Sequence, residues 1–167
     1  MNERGFERYE EAYSLLDELT LIPADCGKLC KRKCCHGGKD DGMLLFAGEE
    51  EFLDGRRFLK VSEREFCGGT AKMAVCKGRC KREWRPLSCR IYPFAPRMKE
   101  DGTIEVTPDP RAKYICPLLA SGAEQYWDAA FAKTVQQAFE LLLEVEGMPE
   151  FLRKYTQMLE SYDKFVG

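Results

Sequence analysis

Asp25-Cys26-Gly27-Lys28-Leu29-Cys30-Lys31-Arg32-Lys33-Cys34-Cys35-His36 places four thiols within ten residues, the first three at intervals of four. Five more follow at Cys67, Cys76, Cys80, Cys89 and Cys116, in a chain whose only histidine is His36. The pattern reads as thiolate metal ligands. Nine thiols cannot all pair within one chain, and a bond between adjacent Cys34 and Cys35 would close only a strained ring. The stretch from Met1 to Glu11 carries Glu3, Arg4, Glu7, Arg8, Glu10 and Glu11 and no apolar export segment. A cytoplasmic, reducing compartment is therefore expected, and stable disulfides are rare there.

The spacing restricts the geometry. On one continuous helix Cys26, Cys30 and Cys34 would share a face, but the first and last would stand about 12 Å apart along the axis. Thiolates around one tetrahedral zinc lie only ~3.8 Å from one another. The backbone must therefore bend back, with Gly27 as the expected place, or the thiols must serve more than one metal. Neighbouring Cys34 and Cys35 project in different directions, which points to two metal positions or one polynuclear cluster. His36 ranks behind the cysteines as a ligand, because eight thiols already complete two four-coordinate sites. Which thiol is surplus is left open by local spacing. Cys76 and Cys80 would share a helix face, yet Ala74-Val75-Cys76 reads equally as a strand end whose cysteine packs as a small apolar group.

Around this middle the sequence has helical periodicity. Phe6, Tyr9, Tyr13, Leu16 and Leu19 form one amphipathic stripe that Pro23 ends. Trp127, Phe131, Val135, Ala138, Leu142 and Val145 form another, predicting a helix from about Ala123 to Glu146 with Gly147 as its left-handed cap. A third starts at Pro149 and runs through Leu152, Tyr155, Met158 or Leu159, Tyr162 and Phe165. The last two are expected to make a helical hairpin. In the middle, Asp41-Gly42, Asp54-Gly55, Gly68-Gly69 and Asp101-Gly102 separate short runs (Met43 to Phe46, Phe58 to Val61, Thr103 to Thr107) that suggest small strands.

The expected fold is thus α+β: a small, irregular, cysteine-rich, metal-stapled domain with short strands, flanked by an N-terminal helix and a C-terminal helical hairpin. Residues 1–120 would form the metal-binding domain with its helix, and residues 121–167 the hairpin packed on it. A structural zinc contributes an apparent ~10–16 kcal/mol against the ~5–15 kcal/mol net stability of a whole domain. Metal would decide whether the middle folds.

Several separated elements together resemble the zinc- or iron-chelating domain family of CxxCxxCC-type cysteine-rich proteins. They are Cys26, Cys30, Cys34, Cys35, then Cys67, Cys80, the phrase Arg85-Pro86-Leu87-Ser88-Cys89-Arg90-Ile91-Tyr92-Pro93, and Cys116-Pro117. This chain differs in having three residues, not two, between its first cysteines, and the resemblance stops short of the terminal helices. It implies a metal-binding domain with Cys26, Cys30, Cys34, Cys35, Cys67, Cys80, Cys89 and Cys116 as ligands, leaving Cys76 as the extra thiol. A similar cysteine-rich segment occurs in flagellin lysine methylases, where the centre is thought to be an iron-sulfur cluster.

Zinc is the first expectation, since long gaps between ligands suit a staple joining distant loops; iron or an iron-sulfur cluster is the alternative. Residues 67–99 hold nine Lys or Arg against the single acid Glu83, while residues 120–167 hold four against eight acids. The basic residues Lys72, Lys77, Arg79, Lys81, Arg82, Arg85 and Arg90 are read as offsetting thiolate charge rather than binding nucleic acid, for which no recognition motif is present. The run Glu49-Glu50-Glu51 is read as a solvated helix face. No apolar run approaches membrane-spanning length, so no membrane partner is expected. No phosphate loop, GxSxG elbow or HExxH pair points to an enzyme. The function class is a metal-binding protein that works by binding a protein partner, with an iron-sulfur enzyme or a metal carrier or sensor as alternatives.

Overall fold

The computed structural model describes residues 1–35, 42–55, 59–76 and 81–166, with the side chains of Cys76 and Val166 excepted. Helix accounts for 48% and strand for 18%, and the strands form separate antiparallel sheets, which makes the class α+β.

Helix α1, Glu3–Leu15, starts where Asn2 Oδ1 accepts the Gly5 N–H at 2.8 Å. It buries Tyr9, Ala12 and Tyr13, with Leu16 continuing the stripe just beyond. Short helices α2 (Gly27–Cys30), α3 (Glu49–Phe52) and α4 (Leu87–Ile91) punctuate the middle. The long helices α5 (Phe131–Leu142) and α6 (Met148–Val166) close the chain.

Strands β1 (Met43–Leu44), β2 (Leu59–Phe66) and β3 (Gly69–Cys76) form one sheet in the order β1-β3-β2. The β2–β3 hairpin runs beyond the expected short run, which the sequence concealed because its faces carry little apolar alternation: Lys60, Glu63, Arg64 and Glu65 are exposed. Its register runs from Leu59 opposite Cys76 to Phe66 opposite Gly69. Asp41 and Phe58, which the expected turn and strand include, lie outside the described residues. Gly42 abuts β3 so closely that a Cβ there would stand 2.3 Å from the Ala74 carbonyl oxygen.

The second sheet pairs β4 (Phe94–Met98) with β5 (Ile104–Pro108), Pro96 lying opposite Val106. A proline inside a strand lacks the N–H that a ladder bond would need. Pro96 is tolerated because it shares the parity of Met98, whose N–H points away from β5 and donates to Thr156 Oγ1 at 2.9 Å. At that parity a missing N–H removes no ladder bond.

The helix expected over 123–146 is divided. Ala123–Tyr126 is a 3₁₀ turn, Trp127 is extended, and the α-helix begins at Phe131. Asp128 causes the break. Its N–H donates to the Leu21 carbonyl and its Oδ1 accepts the Ala130 N–H, both at 2.8 Å, which ties the chain to the end of the α1 segment. Trp127 turns inward, its Nε1 donating to the Leu118 carbonyl at 2.9 Å and its ring meeting Phe94 edge-on.

Gly147 takes the left-handed φ of +81° expected of it. The helices it joins pack chiefly on other elements, however: α5 on α1 and β5, and α6 on β4. The apolar core is continuous across residue 120, with Phe46 edge-on to Phe139, Phe151 and Tyr155. No described helix is long and apolar enough to cross a membrane.

Candidate metal centre

The first cysteine cluster folds back on itself. Cys26 opens the single turn of α2, then Lys31 and Arg32 both adopt left-handed backbone (φ +54° and +59°), and a 3₁₀ turn follows at Lys33–Cys35. The reversal thus sits at Lys31-Arg32 and not at Gly27. Two consecutive non-glycine residues in this region store strain of order 1–3 kcal/mol each. The Arg32 N–H donates to the Gly27 carbonyl at 2.9 Å and the Cys35 N–H to the Arg32 carbonyl at 2.8 Å, closing the loop. Gly27 lies under the Arg32 side chain, where a Cβ would meet Arg32 Cγ at 2.8 Å.

Cys89 is carried on α4, whose Leu87 and Ile91 are buried in the core. That helix is seated by two buried charged residues. Glu49, fully buried, accepts from the Leu87 N–H at 2.7 Å, the Tyr13 hydroxyl at 2.6 Å and the Phe46 N–H at 2.9 Å. Arg90, 5% exposed, donates to the carbonyls of Glu83 (2.8 Å) and Arg85 (3.1 Å) and reaches the last carbonyls of α1. Cys116 is placed by its N–H bond to the Ala112 carbonyl at 2.9 Å. Arg111 pins that segment to α6 by pairing with Asp109 and donating to the Tyr155 hydroxyl, each at 2.6 Å.

These segments meet around a cavity of about 180 Å³ lined by Cys26, Cys30, Cys34, Cys35, Cys89 and Cys116. Gly42, Met43, Leu59 and Ala74 of the first sheet form one wall, and Tyr92, Pro117 and Leu118 contribute to the rest. Of the seven cysteines whose side chains are described, six therefore face one space. Among the described residues no three cysteine, histidine or carboxylate groups are drawn to metal-holding distance. The donor type still fits a thiophilic metal, being all sulfur with one cation, Arg85, among the lining side chains.

The thiols affect one another electrostatically. The hydrogen bond with Cys35, burial and neighbouring thiols push Cys34 far above the ordinary thiol range. Burial raises Cys26, with Cys30 and Asp25 adding to it and Arg85 opposing it. Burial raises Cys116 too. Tyr92 is raised by burial and by facing Cys116 and Cys34. A cation placed among them would reverse this balance.

Cys67 does not join the group. It occupies the tip of the β2–β3 hairpin with φ +47°, and its Sγ contacts the Lys154 carbonyl of α6 at 3.5 Å. Leu59, at the cavity, lies eight residues away along a strand, roughly 25 Å. Cys80, His36 and the side chain of Cys76 lie outside the described residues, as do Lys77 and Arg79.

Of the basic stretch, Arg82 and Arg90 reach inward, to backbone carbonyls and not to the thiols, while Lys72 and Lys81 stay at the surface. Arg82 donates to the Asp17 carbonyl at 2.7 Å and to those of Leu16 and Leu19, so with Arg90 it satisfies the C-terminal end of α1. Lys72 pairs with Glu63 at 2.7 Å across the hairpin, and Lys81 lies over the Trp84 ring. The reading of Glu49 as part of a solvated face is overturned by its burial; only Glu51 of that run is exposed. Sequence reasoning missed it because a carboxylate satisfied by two backbone N–H groups and a hydroxyl leaves no pattern in the chain.

No protein-family model, curated protein or solved structure matches this chain.

Proposed function

We propose that this chain is a metal-binding protein that holds its metal through the thiolates of Cys26, Cys30, Cys34, Cys35, Cys89 and Cys116, with Cys80 as a further ligand, and that the centre staples a surface for a protein partner. The observation carrying this reading is the convergence of six thiols from three separate segments on one cavity. Zinc is the metal of choice for a closed, structural thiolate set. The centre would supply the folding energy that binds the loop 26–35 to α4 and to the Cys116 turn. The resemblance to the CxxCxxCC-type chelating family supports the same reading.

An iron-sulfur cluster is the second reading, supported by the single shared cavity, which accommodates a polynuclear centre in place of two separate ions. Metal analysis of anaerobically purified protein, with its visible spectrum, decides between them. Colourless protein with stoichiometric zinc supports the first; brown protein with iron and acid-labile sulfide supports the second. Metal-free protein that remains fully folded would refute both.

A further inference from the structure

Beside the thiol cavity lies a second depression, a groove of about 560 Å³ that shares Cys30 and Cys116 with it. Its floor and walls include Leu29, Tyr114 and Ile115, which are 62%, 76% and 45% exposed and lie together in one depression. Lys31, Lys33 and Lys113 stand around them, and no aspartate or glutamate is among the described residues lining the groove.

We propose that this lysine-rimmed apolar groove is a docking surface for an acidic polypeptide segment bearing aliphatic side chains. The inference rests on the thiolate-centre reading, because both walls, Leu29–Lys33 and Lys113–Pro117, hang from proposed ligands. Charge complementarity selects the partner. The chain as a whole is acidic, with a net charge of −2, yet this groove presents only positive charge around an apolar floor. A binding groove with an apolar centre and a charged rim has the anatomy of a protein interface, and the volume lies within the ~300–1,000 Å³ of ligand clefts. The strained left-handed pair Lys31-Arg32 forms part of the loop that presents the rim, and such strain collects at binding sites. Nucleic acid fits less well. Single strands are held by stacked aromatic rings along a basic track, whereas this groove has one aromatic ring, Tyr114, its other apolar side chains being Leu29, Ile115, Pro117 and Ala120.

The test uses the full, metal-loaded chain, with metal content measured on the same preparation. An array of ten-residue peptides of random composition is probed, and the strongest binder is remade with a fluorescent label for anisotropy titration. The expected result is enrichment of peptides carrying Asp or Glu around Leu, Ile or Val, with affinity falling as salt rises. The triple change Lys31→Glu, Lys33→Glu, Lys113→Glu should weaken the labelled peptide by more than roughly tenfold. Lys113→Gln alone should give a smaller loss at unchanged metal content, which covers the case of a misfolded triple variant. Enrichment of neutral or basic peptides, no enrichment, affinity untouched by these changes, or tighter binding of a ten-nucleotide thymidine strand would overturn the inference. A chain without metal refutes the thiolate reading itself; a metal-loaded chain without acidic-peptide preference refutes only the docking surface.

Discussion

The Glu49 carboxylate accepts the Leu87 N–H at 2.7 Å across a sequence gap of 38 residues. Because the same oxygen also accepts the Tyr13 hydroxyl, one buried side chain joins α1, α3 and the helix that carries Cys89. Two consequences can be measured.

Glu49→Gln replaces one carboxylate oxygen with an N–H₂ group, which then confronts either the Phe46 N–H or the Leu87 N–H. A buried donor left without an acceptor costs about 1–3 kcal/mol, to be read from urea denaturation. Burial is the main influence on Glu49 and raises its pKa above the ordinary carboxylate value. The folded state therefore holds the proton more tightly than the unfolded state. The associated stability is present below the ordinary value and is lost as pH rises through the raised one. Wild type should thus lose stability relative to the Gln variant on going from pH 4 upward; a difference that grows with pH would contradict the assignment.

Arg90 lies with its guanidinium carbon 4.6 Å from the centroid of the Tyr13 ring while satisfying carbonyls of two segments. Lysine cannot reproduce that fork of donors. Arg90→Lys should lower stability by about 2–4 kcal/mol. An unchanged denaturation midpoint would show that Arg90 is not what seats α4 against α1.

The cysteines should divide by position. Cys89→Ser and Cys116→Ser are expected to lose metal, whereas Cys67→Ser, at the hairpin tip, should keep the full equivalent. Metal content by plasma emission decides it. A Cys67→Ser protein that loses metal would restore the ligand set implied by the family resemblance and require the hairpin to fold back.

Since Cys26, Cys34 and Cys116 are raised above the ordinary thiol range, they are protonated at neutral pH without metal, and uptake must expel those protons. Metal affinity should rise with pH between 6 and 8. Calorimetry in buffers of different ionisation enthalpy should register proton release, and pH-independent uptake without release would remove these thiols from the ligand set.

Chelation under reducing conditions should alter Trp84, which sits in the 3₁₀ turn Arg82–Trp84 next to the cavity residue Arg85, more than Trp127. Trp127 is held by Phe94 and the Leu118 carbonyl. Single Trp84→Phe and Trp127→Phe variants separate the two fluorescence signals. No change at Trp84 in verified metal-free protein would count against the staple.

Local signals in the sequence were sufficient for α6, for the turn at Gly147 and for the body of α1, though that helix ends at Leu15 and not after Leu19, because side chains at helical spacing declare a buried face and a left-handed position favours glycine. The residue types that line the cavity were legible too, since six of the cysteines singled out in the sequence face it. The division of the 123–146 stripe was not, because it depends on the Asp128 N–H reaching Leu21, over 100 residues earlier.

What the sequence by itself determined is therefore the set of helical faces and the abundance of cysteine in the middle of the chain. Only the tertiary structure decided which thiols face one cavity. The reversal at Lys31-Arg32 turns Cys34 and Cys35 back toward Cys26, Glu49 and Arg90 bring Cys89 across from α4, and an eight-residue strand carries Cys67 away. Periodicity and residue type are properties of neighbours in the chain, whereas convergence is fixed by hydrogen bonds and packing between segments far apart in it, and those leave no local pattern to read.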